Sequence, residues 1–365
     1  MFCKAGGTMK KLISLVCMMS MLVMMLTGCS SSNSGTFELA LVTANDSIDD
    51  KSFNQGSWEG LEEYAEENGV SYKYYKPTDT TDTAIFNAIK LAVKGGAKVV
   101  VAPGYLCEPA VYMAQTEFPD VKFILIDGSP NDGAGNASIE ANVKSIFYAE
   151  EQAGFLAGYA TVMEGYRNLG FMGGRALPAV VRFGYGYIQG AEYAAKELGL
   201  AEGEVTVKYN YVGNFDASPE NVTIAASWFN EGVEVIFACG GGVGNSVMKA
   251  AETAGTKVIG VDVDQSGESE TVITSAMKNL GKSVYDSLAD FYNGTFEGGK
   301  EFTLDATTES VMLPMDTSRF ENFTKEQYDA IYAKLVSGEI TVLRHDAAEE
   351  ADLLPLDLVT VNVVQ

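Results

Sequence analysis

From residue 37 onward, apolar and polar residues fall into two alternating rhythms. Short aliphatic runs stand between longer stretches whose apolar positions recur every three or four residues, the marks of strands and helices respectively. The first run covers 39–43 and passes through a polar loop into a helical pattern over 56–68, carried by Trp58, Leu61, Tyr64 and Ala65. A strand over 72–75 follows, then a helical stripe of Ala84, Ile85, Ala88, Ile89, Ala92 and Val93 that stops at Gly95-Gly96. Val99-Val100-Val101-Ala102 is continuously aliphatic, as in a strand buried on both faces. A helix over 108–117 and a strand through Phe123-Ile124-Leu125-Ile126, ending in Asp127-Gly128, complete a first set.

The pattern then restarts. A helix over 149–164 leads to a strand over 169–174, a helix over 179–197 and a strand over 205–212. Ser218-Pro219-Glu220 opens the next helix with a capping serine and a first-turn proline. A buried strand over 235–239 runs into Gly240-Gly241-Gly242, a helix over 244–254 follows, and a strand over 258–262 ends in Asp262. Next come an apolar stretch over 272–278 and helices over 280–293 and 325–336; little is identifiable after Leu353. Strands separated by helices of this length imply right-handed βαβ units and parallel sheets. Two such sets predict two α/β lobes with a cleft between them.

The amino end follows neither rhythm. Lys10 and Lys11 precede an almost uncharged apolar run over 12–26, then Thr27-Gly28-Cys29, which is the order of a secretory signal. At about 15 residues the run is short of the roughly 20 that a membrane-spanning helix needs. Leu26-Thr27-Gly28-Cys29 resembles a bacterial lipobox, with Cys29 as the lipidated first residue of the mature chain and 30–35 as a flexible Ser/Gly tether. Met9-Lys10-Lys11 also has the look of a natural start, so either Met1 or Met9 can open the chain. The expectation is an extracytoplasmic protein, lipid-anchored to the bacterial cell membrane.

Charge and composition then exclude several classes. The chain carries a formal charge of −24, and loss of residues 1–28 removes Lys4, Lys10 and Lys11 and no acid, giving −27. So acidic a body argues against nucleic acid, which demands a basic footprint. Cys3 and Cys17 fall in the leader, and Cys107 and Cys239 lie beside apolar stretches, as buried free thiols do. With His345 the sole histidine, a His/Cys zinc site and a Ser-His-Asp triad both lose their raw material, and no metal or cofactor is expected.

Ligand-facing groups gather at three strand ends. The loop after the first strand holds Asp49, Asp50, Phe53 and Asn54; the others end in Asp127-Gly128 and in Asp262 with Asp264. In open α/β sheets the loops at the carboxyl ends of strands contact the ligand. Carboxylates there accept bonds from vicinal hydroxyls, and an aromatic such as Phe53 can stack on a flat ring. Acceptors beside an aromatic plate fit a nucleoside or a sugar better than a phosphate. Gly240-Gly241-Gly242 would let backbone amides approach such a ligand closely. Gly184-Tyr185-Gly186-Tyr187-Ile188-Gln189-Gly190 is one residue off a dinucleotide fingerprint, but it lies inside a helical pattern. Gly281-Lys282-Ser283 lacks the first glycine of a P-loop, Ala276 standing in its place.

Asp49-Asp50-Lys51-Ser52-Phe53-Asn54-Gln55, Asp127-Gly128, Ala149-Glu150-Glu151-Gln152-Ala153-Gly154-Phe155-Leu156-Ala157-Gly158 and Gly260-Val261-Asp262-Val263-Asp264-Gln265 resemble the basic membrane protein family. These are substrate-binding lipoproteins of ABC importers, similar to purine nucleoside receptors, and the similarity runs from Leu39 to Val342. The resemblance implies a type I periplasmic-binding-protein fold with two Rossmann-like lobes joined by three crossovers. The expected division is a leader over 1–28, a tether over 29–36, one lobe from 37–145 with 272–302, and a second from 146–271 with 303–365.

Carried over motif by motif, Phe53 would stack on a base with Phe215 as the opposite plate. Asp50 and Asn54 would face the ligand, Asp127 and Asp262 would hold its hydroxyls or base edge, Lys278 would complete the ribose network, and Gly241 and Gly242 would line the cleft. Ala44 departs from the pattern, which implies an aspartate after Thr43, and leaves the base preference open. The implied function is a monomeric, non-enzymatic receptor that closes on a nucleoside and delivers it to a membrane permease. A receptor for another polar solute such as a sugar or nucleobase, a secreted nucleoside-acting enzyme, and a surface adhesin or sensor on the same fold are the alternatives.

Overall fold

The computed structural model describes residues 36–44, 47–346, 351 and 354–364; the leader, Cys29 and nearly all of the tether lie outside them. No helix among the described residues is long and apolar enough to cross a membrane. The first half runs β1 (Leu39–Val42), α1 (Phe53–Asn68), β2 (Tyr72–Tyr75), α2 (Asp82–Lys94), β3 (Val99–Pro103), α3 (Glu108–Glu117), β4 (Lys122–Ile126) and β5 (Val143–Tyr148). The second runs α4 (Glu150–Glu164), β6 (Asn168–Gly173), α5 (Pro178–Leu198), β7 (Val205–Tyr211), α6 (Pro219–Asn230), β8 (Val235–Cys239), α7 (Gly242–Ala254), β9 (Lys257–Asp262) and β10 (Val272–Lys278). Then come α8 (Leu280–Asn293), β11 (Lys300–Leu304), β12 (Val311–Met312), α9 (Lys325–Val336) and β13 (Val359–Val363).

Two sheets result, ordered β11-β5-β4-β3-β1-β2 and β12-β10-β9-β8-β6-β7-β13. The order 5-4-3-1-2 recurs as 10-9-8-6-7, so the fold is one motif used twice. Every pairing is parallel except β10 with β12. β1, β3 and β8 are buried along their whole length, which is why their sequences are continuously aliphatic.

The chain passes between the lobes after β5, after β10 and after β11. These crossings are tied to one another: the Ala149 amide donates to the Leu304 carbonyl, and the Asn279 amide to that of Ser310. The stretch 272–278 was expected to return to the amino-terminal lobe. Instead β10 pairs with β9, and the crossing falls just after Lys278. The aliphatic run cannot reveal this, because both lobes offer a parallel edge of the same kind. Four further strands, β5, β11, β12 and β13, had no expectation behind them. β11 and β13 are exposed at sheet edges and therefore lack an apolar run.

Helix α1 starts one turn earlier than its apolar stripe suggests. Both carboxylate oxygens of Asp50 are used here, Oδ1 accepting from the Ser52 and Gln55 amides and Oδ2 from that of Asn54. This satisfies the open amides of the first turn and lets Phe53 begin the helix.

The glycines over 184–190 also find their purpose in packing. Cβ atoms at Gly186 and Gly190 would stand 2.1 Å from the Glu151 carbonyl oxygen and 2.0 Å from that of Phe155. Gly154 and Gly158 of α4 approach the Phe183 and Tyr187 carbonyls as closely. Helices α4 and α5 therefore touch backbone to backbone, and any side chain at these positions drives them apart. Gly158→Ala is expected to cost about 3 kcal/mol. Gly199→Ala, at φ +65° in open space, is expected to cost only about 1 kcal/mol. A thermal melt in which Gly158→Ala unfolds no earlier than Gly199→Ala would contradict this packing.

Candidate functional site

In each lobe the strand order reverses between two neighbouring strands, β1 and β3 in one and β6 and β8 in the other. The loops that leave such a switch point diverge and open a crevice. Here the two crevices face each other and enclose a cavity of about 470 Å³. Ala44, Asp50, Phe53 and Asn54 line it from beyond β1, and Gly104 and Tyr105 from beyond β3. The opposite wall is Arg175 and Leu177 after β6, Gly240 and Gly241 after β8, and Phe215 after β7. Asp127, Asp262 and Lys278 form the floor.

Asp127 and Asp262 follow or end the fourth strand of each motif, and both turn left-handed there, with φ of 53° and 67°. That conformation is unusual for a residue other than glycine, and short polar Asp bears it better than most. It aims the two carboxylates at one point, where Lys278 stands. The Lys278 ammonium lies 2.5 Å from Asp127 Oδ2, 3.4 Å from Asp262 Oδ1 and 3.6 Å from Glu150 Oε1. It also sits 4.6 Å from the centre of the Phe53 ring, a cation–π distance. Lys278 is 2% exposed and Glu150 not at all. Burial works against the Lys278 charge, but the three carboxylates outweigh it and push its pKa up. Burial pushes the Asp127 carboxyl up to about 6, with the Lys278 ammonium opposing.

Acceptor capacity is left over. Among the described residues, Asp127 Oδ1 and Glu150 Oε1 are buried with no hydrogen-bond partner, while Asp262 Oδ2 accepts from Ser52 Oγ at 2.6 Å. The last bond joins the lobes, as does Gln265 Nε2 donating to the Lys51 carbonyl at 2.7 Å. A molecule bringing O–H donors to the floor would satisfy what the protein leaves open.

The expected residues do not all play the same part. Phe53, Asn54, Asp127, Phe215, Gly241, Asp262 and Lys278 are brought to one cavity. Phe215 has room for its ring because Gly174 carries no side chain; a Cβ there would stand 2.4 Å from it. Asp50 reaches the wall too, but its carboxylate is committed to the first turn of α1. Gly242 is outside the lining and packs against the loop 215–217, where a Cβ would meet the Ala217 nitrogen at 2.6 Å. Cys239 lines the cavity as a thiol that burial raises well above its ordinary pKa. His345 packs edge-on to Tyr185, 4.9 Å between ring centres, away from the lining.

Two charged contributors, Glu108 and Arg182, went unremarked in the sequence. Glu108 lines the cavity and accepts from the Ser129 amide and the Asn131 side chain. Arg182 lines it from α5, with Nε 2.5 Å from Glu150 Oε2, and Glu150 in turn faces Lys278. A lone arginine inside Val180-Val181-Arg182-Phe183 was the available signal, since a charge in an apolar stripe needs a buried partner.

A family model described as ABC transporter substrate-binding protein PnrA-like matches residues 37–346. The ABC transporter nucleoside-binding protein BmpA of Lactococcus lactis subsp. cremoris is 30% identical over 355 residues, covering 88% of this chain and 95% of the relative. Basic membrane protein A2 of Borrelia garinii subsp. bavariensis is 25% identical over 346 residues, covering 92% and 96%. Among solved structures, an ABC transporter solute-binding protein from Aeropyrum pernix K1 superposes with a TM-score of 0.73 at 21% identity, covering 87% of this chain and 95% of that one. One from Conexibacter woesei gives 0.67 at 21% identity, covering 84% and 99%. The two-lobed architecture is thus the type I periplasmic-binding-protein fold. The chain belongs to the Bmp family of PnrA-like ABC transporter substrate-binding proteins.

Proposed function

We propose that this protein captures a nucleoside in the interlobe cavity and hands it to the permease of an ABC importer, working as a monomer held outside the cell membrane by lipid on Cys29. The observation that carries the proposal is the floor of the cavity: two convergent carboxylates, Asp127 and Asp262, share one buried ammonium beside the Phe53 ring. Carboxylates with spare lone pairs suit the two hydroxyls of a ribose, and Phe53 and Phe215 on the walls suit a flat base. Support also comes from the Lactococcus lactis relative, whose name is nucleoside-binding protein. Ala44 adds only a methyl to the wall, so the base is read by other groups, Asn54 foremost, whose amide can both donate and accept. Function is closure of two lobes on the solute, with no bond made or broken. Neither lobe alone is expected to bind well, since each contributes half the cavity.

A thermal-shift panel of purine and pyrimidine nucleosides, free bases, ribose and common sugars tests this on protein stripped of solute. A ligand at a hundredfold excess over its Kd stabilises the folded state by about 2.7 kcal/mol. Nucleosides are expected to raise the melting temperature, and Phe53→Ala to abolish the shift. Asp262→Asn is expected to weaken binding by about 2 kcal/mol, roughly thirtyfold in Kd. A shift with sugars or bases alone would discard the nucleoside. Free base released on incubation, seen by chromatography, would make the protein an enzyme instead.

Binding should also depend on pH in a direction fixed by Asp127. Its carboxyl titrates at about 6 without solute, and only the ionised form offers two acceptors and pairs with Lys278. Affinity should therefore be level above pH 6 and fall as pH drops through that value. Well below it the loss should approach about tenfold per pH unit. Calorimetric titrations between pH 5 and 8 read this directly. An Asp127→Asn variant that is weak but retains the wild-type slope would assign the proton elsewhere.

A further inference from the structure

The buried charges do not end at the cavity floor. Glu150 faces Lys278 with one oxygen and Arg182 with the other, and Arg182 Nη1 reaches Asp346 Oδ1 at 2.6 Å. Arg182 is 2% exposed whereas the Asp346 side chain is 57% exposed, so the relay climbs from the cavity to the surface. Asp346 belongs to a segment without regular structure that runs along one face of α5. Its contacts there are ordered: Asp346 on Arg182, His345 on Tyr185, Leu343 on Gln189. Positions 182, 185 and 189 are three and four apart, which puts them on a single helical stripe. Gln189 grips the Leu343 backbone twice, donating to its carbonyl at 3.0 Å and accepting from its amide at 2.8 Å. Further along the stripe, Glu192 accepts from the amides of Asp357, Leu358 and Val359.

We propose that Asp346, held by this segment, is a positioning residue for the solute site: it keeps the Arg182 guanidinium drawn up against Glu150 and off the carboxylates of the cavity floor. Arg182 lines that cavity, and its charge is felt at Asp127. Among the described residues Asp346 is the surface carboxylate paired with Arg182; with it neutralised, the guanidinium turns toward Asp127 and Asp262. There it occupies solute space and takes up the acceptors that solute hydroxyls need. The Asp346 carboxyl suits this part. Burial works to raise it, but Arg182 and Arg344 outweigh burial and keep it below the usual range.

The proposal rests on the interlobe cavity being the solute site, and not on which solute fills it. Two readouts separate those questions: a crystal structure of the solute-free Asp346→Asn variant, and nucleoside titrations of wild type, Asp346→Asn and Asp346→Glu. The expected result is an Arg182 guanidinium displaced into the cavity in Asp346→Asn and nucleoside affinity lowered about tenfold, with Asp346→Glu restoring both. Gln189→Ala, which loosens the segment and leaves every charge in place, should displace Arg182 in the same direction. Arg182 still seated on Glu150 in both Asp346→Asn and Gln189→Ala would overturn the proposal, as would Asp346→Asn binding with wild-type affinity. Wild type that binds no nucleoside would end the nucleoside reading, and the position of Arg182 in the variants would still decide this one.

Discussion

A bare ammonium in a protein interior costs several kcal/mol in lost hydration, and it survives there only where carboxylates surround it. Lys278 has three, each from a different place in the fold: Asp127 after the last inner strand of one lobe, Asp262 at the matching place in the other, and Glu150 at the first turn of α4. Lys278 itself ends β10 at a crossing between lobes. The one charge therefore depends on both lobes and on the linkage between them, and all three must be in register for any to be tolerated. That dependence works in both directions. The carboxylates would be as costly as the ammonium without it, and the left-handed turns at Asp127 and Asp262 keep them converged.

Around that centre the protein leaves closure lightly held. Apart from the Lys278–Asp127 pair at the crossing itself, two hydrogen bonds join the lobes near the floor, from Ser52 to Asp262 and from Gln265 to the Lys51 carbonyl. Each contributes on the order of 1 kcal/mol net, and the Lys51–Glu268 pair at 3.8 Å is too exposed to add much. Bonds of that size do not commit the lobes to one arrangement. Under the proposed function, a solute that fills the acceptors on Asp127 and Glu150 only when the lobes are closed would shift the balance toward the closed state.

Much of this was legible in the chain. The alternation of aliphatic runs and helical stripes carries the two α/β sets, because strands buried on both faces admit little else. The residues ending those strands carry most of the cavity, since Phe53, Asp127 and Asp262 are out of place in the patterns that precede them. Three things were not legible. The lobe to which β10 belongs depends on which of two similar sheet edges it meets. Edge strands β11 and β13, solvated along one side, write no apolar run. Asp50 reads as a ligand-facing carboxylate by position, yet local amides claim it. Sequence shows which groups stand at a strand end, and only geometry shows which are already spoken for.

The repeated motif explains why the site is two-sided but not symmetric. Tyr148 ends β5 and Lys278 ends β10, the equivalent fifth strands. Both lead directly into a crossing, and the ammonium lies 5.4 Å from the Tyr148 ring centre. Tyr148 turns its hydroxyl to Ser283 Oγ, 2.5 Å away on α8, tying the first crossing to the helix after the second. Two lysines at these equivalent places would put like charges side by side in a dry pocket, and two tyrosines would leave Asp127 and Asp262 without a cation. One of each resolves both problems. The aromatic braces the hinge, and the cation gathers the carboxylates of both lobes. The floor is thereby left with two buried carboxylate oxygens, Asp127 Oδ1 and Glu150 Oε1, that no donor among the described residues fills, a bias that under the proposed function favours a solute bringing hydroxyl groups.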